Sequence, residues 1–155
     1  MNNLKVLKAL TELKLRQDNN NIKVTGTSME PVIYDGDTAY IEKIEKYRIG
    51  DIVVAIDTKG WLLIHRIVRI KEGIINIKGD NAVAIETVRP DDCFGRVVFV
   101  KSKDGAEFIL KRSFKDKVIA YLSLMMNKRW RASKDYAGTI NGWQHRIMCF
   151  LSKRR

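Results

Sequence analysis

A serine that could act as a nucleophile stands in Gly26-Thr27-Ser28-Met29-Glu30-Pro31, directly after the alternating run Ile22-Lys23-Val24. Gly26 reaches backbone angles closed to other residues and Pro31 fixes its own φ, so together they can hold Ser28 on a tight, exposed bend. A serine hydroxyl attacks a carbonyl efficiently only when a base within hydrogen-bond reach takes its proton. The candidate base is His65, in Leu62-Leu63-Ile64-His65-Arg66-Ile67-Val68. An imidazole, with a reference pKa of about 6.5, can take that proton and return it to a departing amine at neutral pH. As a strand, the segment puts His65, Leu63 and Ile67 on one face and Ile64, Arg66 and Val68 on the other. A strand apolar on both sides is buried, and a buried ring needs hydrogen-bond partners. Each residue alone also has a structural explanation, Ser28 as a turn cap and His65 as a satisfied core ring.

Short strands and tight turns must bring the two together. Candidate strands fall at 22–25, 37–42, 51–57, 61–71, 73–78, 95–101 and 106–111, many of them separated by Asp35-Gly36, Gly50-Asp51, Lys59-Gly60, Glu72-Gly73 and Asp104-Gly105. That spacing predicts a mainly β domain, antiparallel and coiled or barrel-like. Ahead of it, residues 3–16 carry apolar side chains at 6, 7, 10 and 13, the spacing of a short amphipathic helix. It is expected to pack as a flap on its own domain, the alternative being a membrane or partner helix. Past Ser113 the pattern is helical again, with Phe114, Val118, Tyr121, Leu122 and Met125 on one face. A break is expected at 136–142 and a last basic helix from Trp143 to Arg155. The organisation expected is thus a helix and linker (1–21), a β-domain (22–112) and a basic helical extension (113–155).

Gly-Thr-Ser-Met-Glu-Pro, Asp35-Gly36-Asp37, Gly50-Asp51-Ile52-Val53-Val54, Ile64-His65-Arg66-Ile67 and Lys78-Gly79-Asp80-Asn81 follow one another in the order of the boxes of type I signal peptidases. The chain resembles that family, within the S24–S26 superfamily of serine peptidases, over roughly residues 22–100. The closest likeness is to the branch with a serine–histidine pair; many relatives have lysine where His65 stands. The resemblance implies the same coiled β-fold, with Ser28 as nucleophile and His65 as base. It gives Asp80 the role of accepting from His65 and holding its tautomer, although a turn-forming Gly-Asp-Asn explains the residue equally well locally. Glu86 stands near where histidine-type relatives carry a second acid, with glutamate in place of aspartate. The oxyanion hole is assigned to the backbone at Ser28 and Gly26. Because Gly26 replaces a serine that helps in many relatives, a second donor must come from another group or a water. Met29 and Pro31, flanking the nucleophile, are the candidate substrate contacts.

No cofactor or metal is expected, since Asp35-Gly36-Asp37 and Gly50-Asp51 read as turns. Cys93 and Cys149 are expected as free thiols. Of the formal net charge of +11, residues 1–100 contribute +1 and residues 101–155 contribute +10. Trp130, Tyr136, Trp143 and Phe150 interleave with those cations. The extension is expected to dock on the β-domain or to meet an anionic membrane surface or a partner protein. Nucleic acid is disfavoured because no nucleic-acid fold signature accompanies the aromatics. No secretory signal or spanning run is legible, so a cytoplasmic protein, free or peripheral on the inner membrane face, is expected. The function expected is a serine endopeptidase that cleaves a precursor or leader peptide. The alternatives are a catalytically weak scaffold binding a peptide or membrane, and a self-cleaving repressor-type protein, against which only 27 residues precede Ser28 and histidine replaces the usual lysine.

Overall fold

The computed structural model describes residues 2–132, and side chains from residue 3 to residue 125. The expected break at 136–142, the basic helix at 143–155, His145 and Cys149 lie outside the described residues. The chain runs α1 (Asn2–Gln17), β1 (Asn21–Lys23), β2 (Thr38–Glu42), β3 (Ile52–Ile56), β4 (Leu62–Lys71), β5 (Ile74–Lys78), β6 (Glu86–Val88), β7 (Cys93–Lys101), β8 (Glu107–Ile109) and α2 (Phe114–Ala132). All strand pairs are antiparallel in one sheet ordered β1-β2-β7-β3-β4-β5-β6, with β8 alongside β7. The mainly β fold with a helix at each end is the one expected.

Register shifts interrupt β2–β7 at Tyr40/Ile41, β3–β7 at Val54/Ala55 and β4–β5 between Ile67 and Arg69. Such irregularities bend strands and raise their twist, which curls the sheet. Both faces are therefore covered. One cluster gathers Met29, Ile33, Ala39, Ile52, Val54, Val97 and Val100; the other gathers Val53, Ala55, Ile67, Ile75, Ile77 and Val88. Alternate residues of β3 feed opposite clusters, and for this reason Ile52-Val53-Val54-Ala55-Ile56 shows no polar alternation.

Three features differ from expectation. Strand β6 was not legible, because three residues, Glu86-Thr87-Val88, are too few for a periodic signal. Helix α1 docks mainly by its end: Leu15 is buried and Lys8 pairs with Asp92, while Val6, Leu7, Leu10 and Leu13 stay exposed. The apolar stripe is present but largely uncovered by its own domain. Helix α2 is turned from the face expected. Ile119, Ala120 and Ser123 are buried, whereas Phe114, Tyr121 and Met125 are exposed. Two polar anchors, described below, set that rotation.

Gly50 makes the closest seam between sheet and α2. Its φ is +97°, and a Cβ there would lie 2.8 Å from the backbone carbonyl carbon of Asp116. Gly50→Ala should cost roughly 2–4 kcal/mol in urea denaturation, combining backbone strain with overpacking. Gly105→Ala is the control: φ is +87° there but nothing lies within 4 Å of the added carbon. It should cost only the backbone part, about 1 kcal/mol. Equal losses for both would mean that α2 yields at this seam.

Candidate active site

Ser28 lies at the start of a coil that turns like a helix, in which Val32 and Ile33 both donate to the Met29 carbonyl, at 3.0 and 3.1 Å. The Asp35-Gly36-Asp37 turn braces it. Asp35 accepts from the Gly26 amide at 2.7 Å, and Asp37 accepts from the Tyr34 amide at 2.9 Å. The Gly26 N–H is thereby committed, which corrects its assignment to an oxyanion hole. Ser28 N–H makes no hydrogen bond among the described residues and remains available. Met29 is buried in the core, 1% exposed, and only floors the cleft beside Ser28. Pro31 is buried and is not among that cleft's walls, so the expected substrate contact at Pro31 is not supported by its position.

His65 sits on β4 with its ring almost fully buried. Its Nε2 lies 3.3 Å from Ser28 Oγ and its Nδ1 3.0 Å from Glu86 Oε2. A carboxylate only accepts, so Nδ1 carries the proton donated to Glu86. Nε2 then presents a lone pair to the serine hydroxyl. Strand register explains the reach: Ile67 faces Ile77 and Ile77 faces Glu86, so β4, β5 and β6 present His65 and Glu86 on one face. Gly79, just past β5, leaves room for the imidazole against the Ser28 backbone. A Cβ at Gly79 would come within 3.0 Å of His65 Nε2 and 2.6 Å of the Ser28 carbonyl oxygen.

Asp80 does not touch the imidazole. It forms a buried two-point pair with Arg66, Nε to Oδ1 and Nη2 to Oδ2, both 2.8 Å. Arg66 is the neighbour of His65 on the opposite face of β4, and as a guanidinium it cannot shed its charge on burial, so it claims the nearest buried carboxylate. The histidine partner expected at Asp80 is Glu86 instead. The resemblance offers Glu86 as a second acid, and strand β6 is what aims it at the imidazole.

Arg66 also donates through Nη1 to the Gly50 carbonyl at 2.9 Å and to Asp116 of α2 at 3.2 Å. Asp116 in turn accepts from the amide and hydroxyl of Ser113 at the helix start. Beside it, Lys78 donates to Ser123 of α2 at 2.7 Å and to the Gly79 carbonyl at 3.2 Å. Burial pushes the Lys78 ammonium down from 10.5 to about 8, against the opposing pull of Asp80 and Glu86. The held loop reaches the nucleophile: Asn81 N–H donates to the Ser28 carbonyl at 2.7 Å and Asn81 Nδ2 to the Thr27 carbonyl at 3.3 Å. None of Lys78, Ser123 and Asp116 had been singled out; a lysine inside an apolar strand was the available signal. A cleft of about 220 Å³ opens beside Ser28 and His65, walled by Val24, Leu62, Leu63 and Ile64.

A family model for S24-like peptidases matches residues 5–98, which includes Ser28, His65, Asp80 and Glu86. The chain belongs to the S24-like peptidase family. A search of curated proteins found no match. The S24-like match takes in β1 to β6, the first part of β7 and the whole Ser28–His65–Glu86 line, and stops before β8 and α2. The matched part thus carries Ser28, His65 and Glu86, and α2, which lies beyond it, is tied to it through Asp116 and Ser123. Among the described residues no helix is long and apolar enough to cross a membrane.

Two predictions follow from the buried charges. Asp80→Ala leaves Arg66 uncompensated and should cost about 3–5 kcal/mol in chemical denaturation, whereas Glu86→Gln, at a partly exposed site, should cost under about 1 kcal/mol. For Lys78, the folded protein releases the proton near 8 and the unfolded chain near 10.5. Between those values the unfolded state binds more protons, so stability rises with pH across the window and is flat below it. Relative to Lys78→Met, the parent should gain up to ~3 kcal/mol between pH 8 and pH 10.5. Parallel denaturation curves with no such relative gain would contradict the buried ammonium.

Proposed function

We propose that this S24-like peptidase is a serine endopeptidase of signal-peptidase-like type, cutting a precursor or leader peptide. The observation that carries the reading is the hydrogen-bonded line from Ser28 Oγ through His65 to Glu86. Ser28 Oγ attacks the scissile carbonyl carbon as its proton passes to His65 Nε2. The oxyanion forms toward the Ser28 amide N–H. Collapse breaks the C–N bond, and His65 gives the proton to the leaving amine. Water then attacks the acyl-enzyme by the same route in reverse, restoring Ser28. Glu86 keeps Nδ1 protonated and stabilises the imidazolium formed in each attack. Asp80 acts at one remove, fixing the loop that carries Gly79 and Asn81.

Strand pairing supports an extended substrate. Leu62 to Ile64 pair with β3 on one side, while β5 pairs with β4 only from Arg66 onward. The other edge of residues 62–64 is thus open to add a substrate strand beside Ser28, whose main-chain hydrogen bonds would set register. Signal peptidases, which the chain resembles, favour small side chains just before the cut, and the proposal carries that preference over to the cleft beside Ser28.

Turnover of candidate precursor peptides tests this directly. Ser28→Ala and His65→Ala should lose at least about 10³-fold in kcat/KM, and Glu86→Gln about 10²–10⁴-fold in kcat, far more than its small stability loss accounts for. Gly79→Ala should lose activity because its methyl displaces the serine carbonyl or the imidazole. Equal processing by the parent, Ser28→Ala and His65→Ala would rule the mechanism out.

A further inference from the structure

A cleft of about 280 Å³, larger than the one beside Ser28, lies where β3 and β8 pair with successive parts of β7, Val53 opposite Arg96 and Ile109 opposite Phe99. Its far wall is the first turn of α2. Five cations line it, Arg48, Arg96, Lys111, Arg112 and Lys117, against two carboxylates, Asp51 and Asp116. Both carboxylates are already engaged. Asp51 accepts from Arg112 Nε and Nη2, each at 2.9 Å, with Arg96 Nε at 3.7 Å, and Asp116 faces Arg66. Arg48, Lys111 and Lys117 make no ion pair among the described residues. Three unmatched cations around so small a space raise the local positive potential, and an anion entering it relieves their mutual repulsion. Asp51 also holds the Arg112 fork in place, so less freedom is lost when its remaining N–H groups meet a ligand.

The rim is apolar. Ile49 is 41% exposed and Phe114 79% exposed, an unusual position for a phenylalanine at the mouth of a charged cleft. A single carboxylate would leave most of the positive charge unbalanced. A phosphate monoester brings a charge of about −1.5 to −2 and three acceptor oxygens. The volume is that of a small-ligand site rather than of a protein footprint.

We propose that this cleft binds a phosphate monoester carried on an apolar group, the phosphate held by Arg48, Lys111, Lys117 and Arg112 and the apolar part by Ile49 and Phe114. The proposal does not rest on the peptidase reading, and its ligand contacts include none of Ser28, His65 and Glu86. Its ligand is either a free organic phosphate or the headgroup of an acidic lipid with a terminal phosphate.

Titration of the full chain with phenyl phosphate, inorganic phosphate and benzoate tests the chemistry, read by NMR shifts at fixed ionic strength. Phenyl phosphate should bind at least about tenfold more tightly than either of the others. The double variant Arg48→Gln/Lys111→Gln should weaken it at least about tenfold, as two lost charged contacts imply. Both side chains are exposed, and an unchanged urea midpoint checks the fold. Ser28→Ala should bind as the parent does. Sedimentation with phosphatidic-acid against phosphatidylcholine vesicles separates the sources. Pelleting that the double variant loses identifies the lipid, and phenyl phosphate binding without such pelleting identifies a soluble phosphate. Benzoate binding equally well, no phenyl phosphate binding, or binding unaltered in the double variant would each overturn the proposal.

Discussion

Arg66 and Asp80 meet through two 2.8 Å hydrogen bonds with side chains 1% and 0% exposed. A guanidinium so placed must find a partner for nearly every N–H, since the desolvation cost of an unpaired charge exceeds most single contributions to folding. Here the demand is met from three directions: the 79–81 loop through Asp80, the Gly50 turn and α2 through Asp116. One side chain therefore fixes the relative positions of pieces far apart in sequence. The loop so fixed lays Gly79 against the imidazole and hands the Asn81 amide to the serine carbonyl. The placement of Ser28 is inherited from an ion pair that touches neither it nor the imidazole.

The same strand carries both tasks because of its two-residue period. His65 and Arg66 are adjacent, so the pleat sends one to the face shared with Glu86 and the other to the face shared with Lys78. Lys78, opposite Arg66 on β5, joins that face and meets Ser123. Two buried cations side by side on one face repel. Asp80 pairs the guanidinium through both oxygens, and burial lowers the proton affinity of the lysine to about 8.

Much of this was readable from the chain. The alternating strands, the glycine turns and the serine and histidine boxes placed the sheet and brought Ser28 to His65. Three parts were not readable, each for a physical reason. Strand β6 is three residues long and carries no period. The orientation of α2 follows Asp116 and Ser123, polar residues answering buried cations, where hydrophobic spacing pointed to Phe114 and Tyr121. For α1, periodicity showed which side was apolar but not whether anything within the domain would cover it.

The exchange of Asp80 for Glu86 as the histidine's partner is the most instructive difference. The sequence supplied two acids and two neighbouring groups that wanted one, and local pattern could not pair them. Length decides it. Glu86 stands across β5 from His65 and about two residues along, a diagonal spanning two strand spacings of roughly 4.8 Å each. Only a long side chain crosses that distance; an aspartate there would fall short by about one C–C bond, ~1.5 Å. Asp80, shorter and already beneath the strand, fits the guanidinium on the other face. Had the charge of Arg66 been treated as one that must be neutralised wherever β4 is buried, strand alternation would have given Asp80 to Arg66 and left Glu86 for the imidazole.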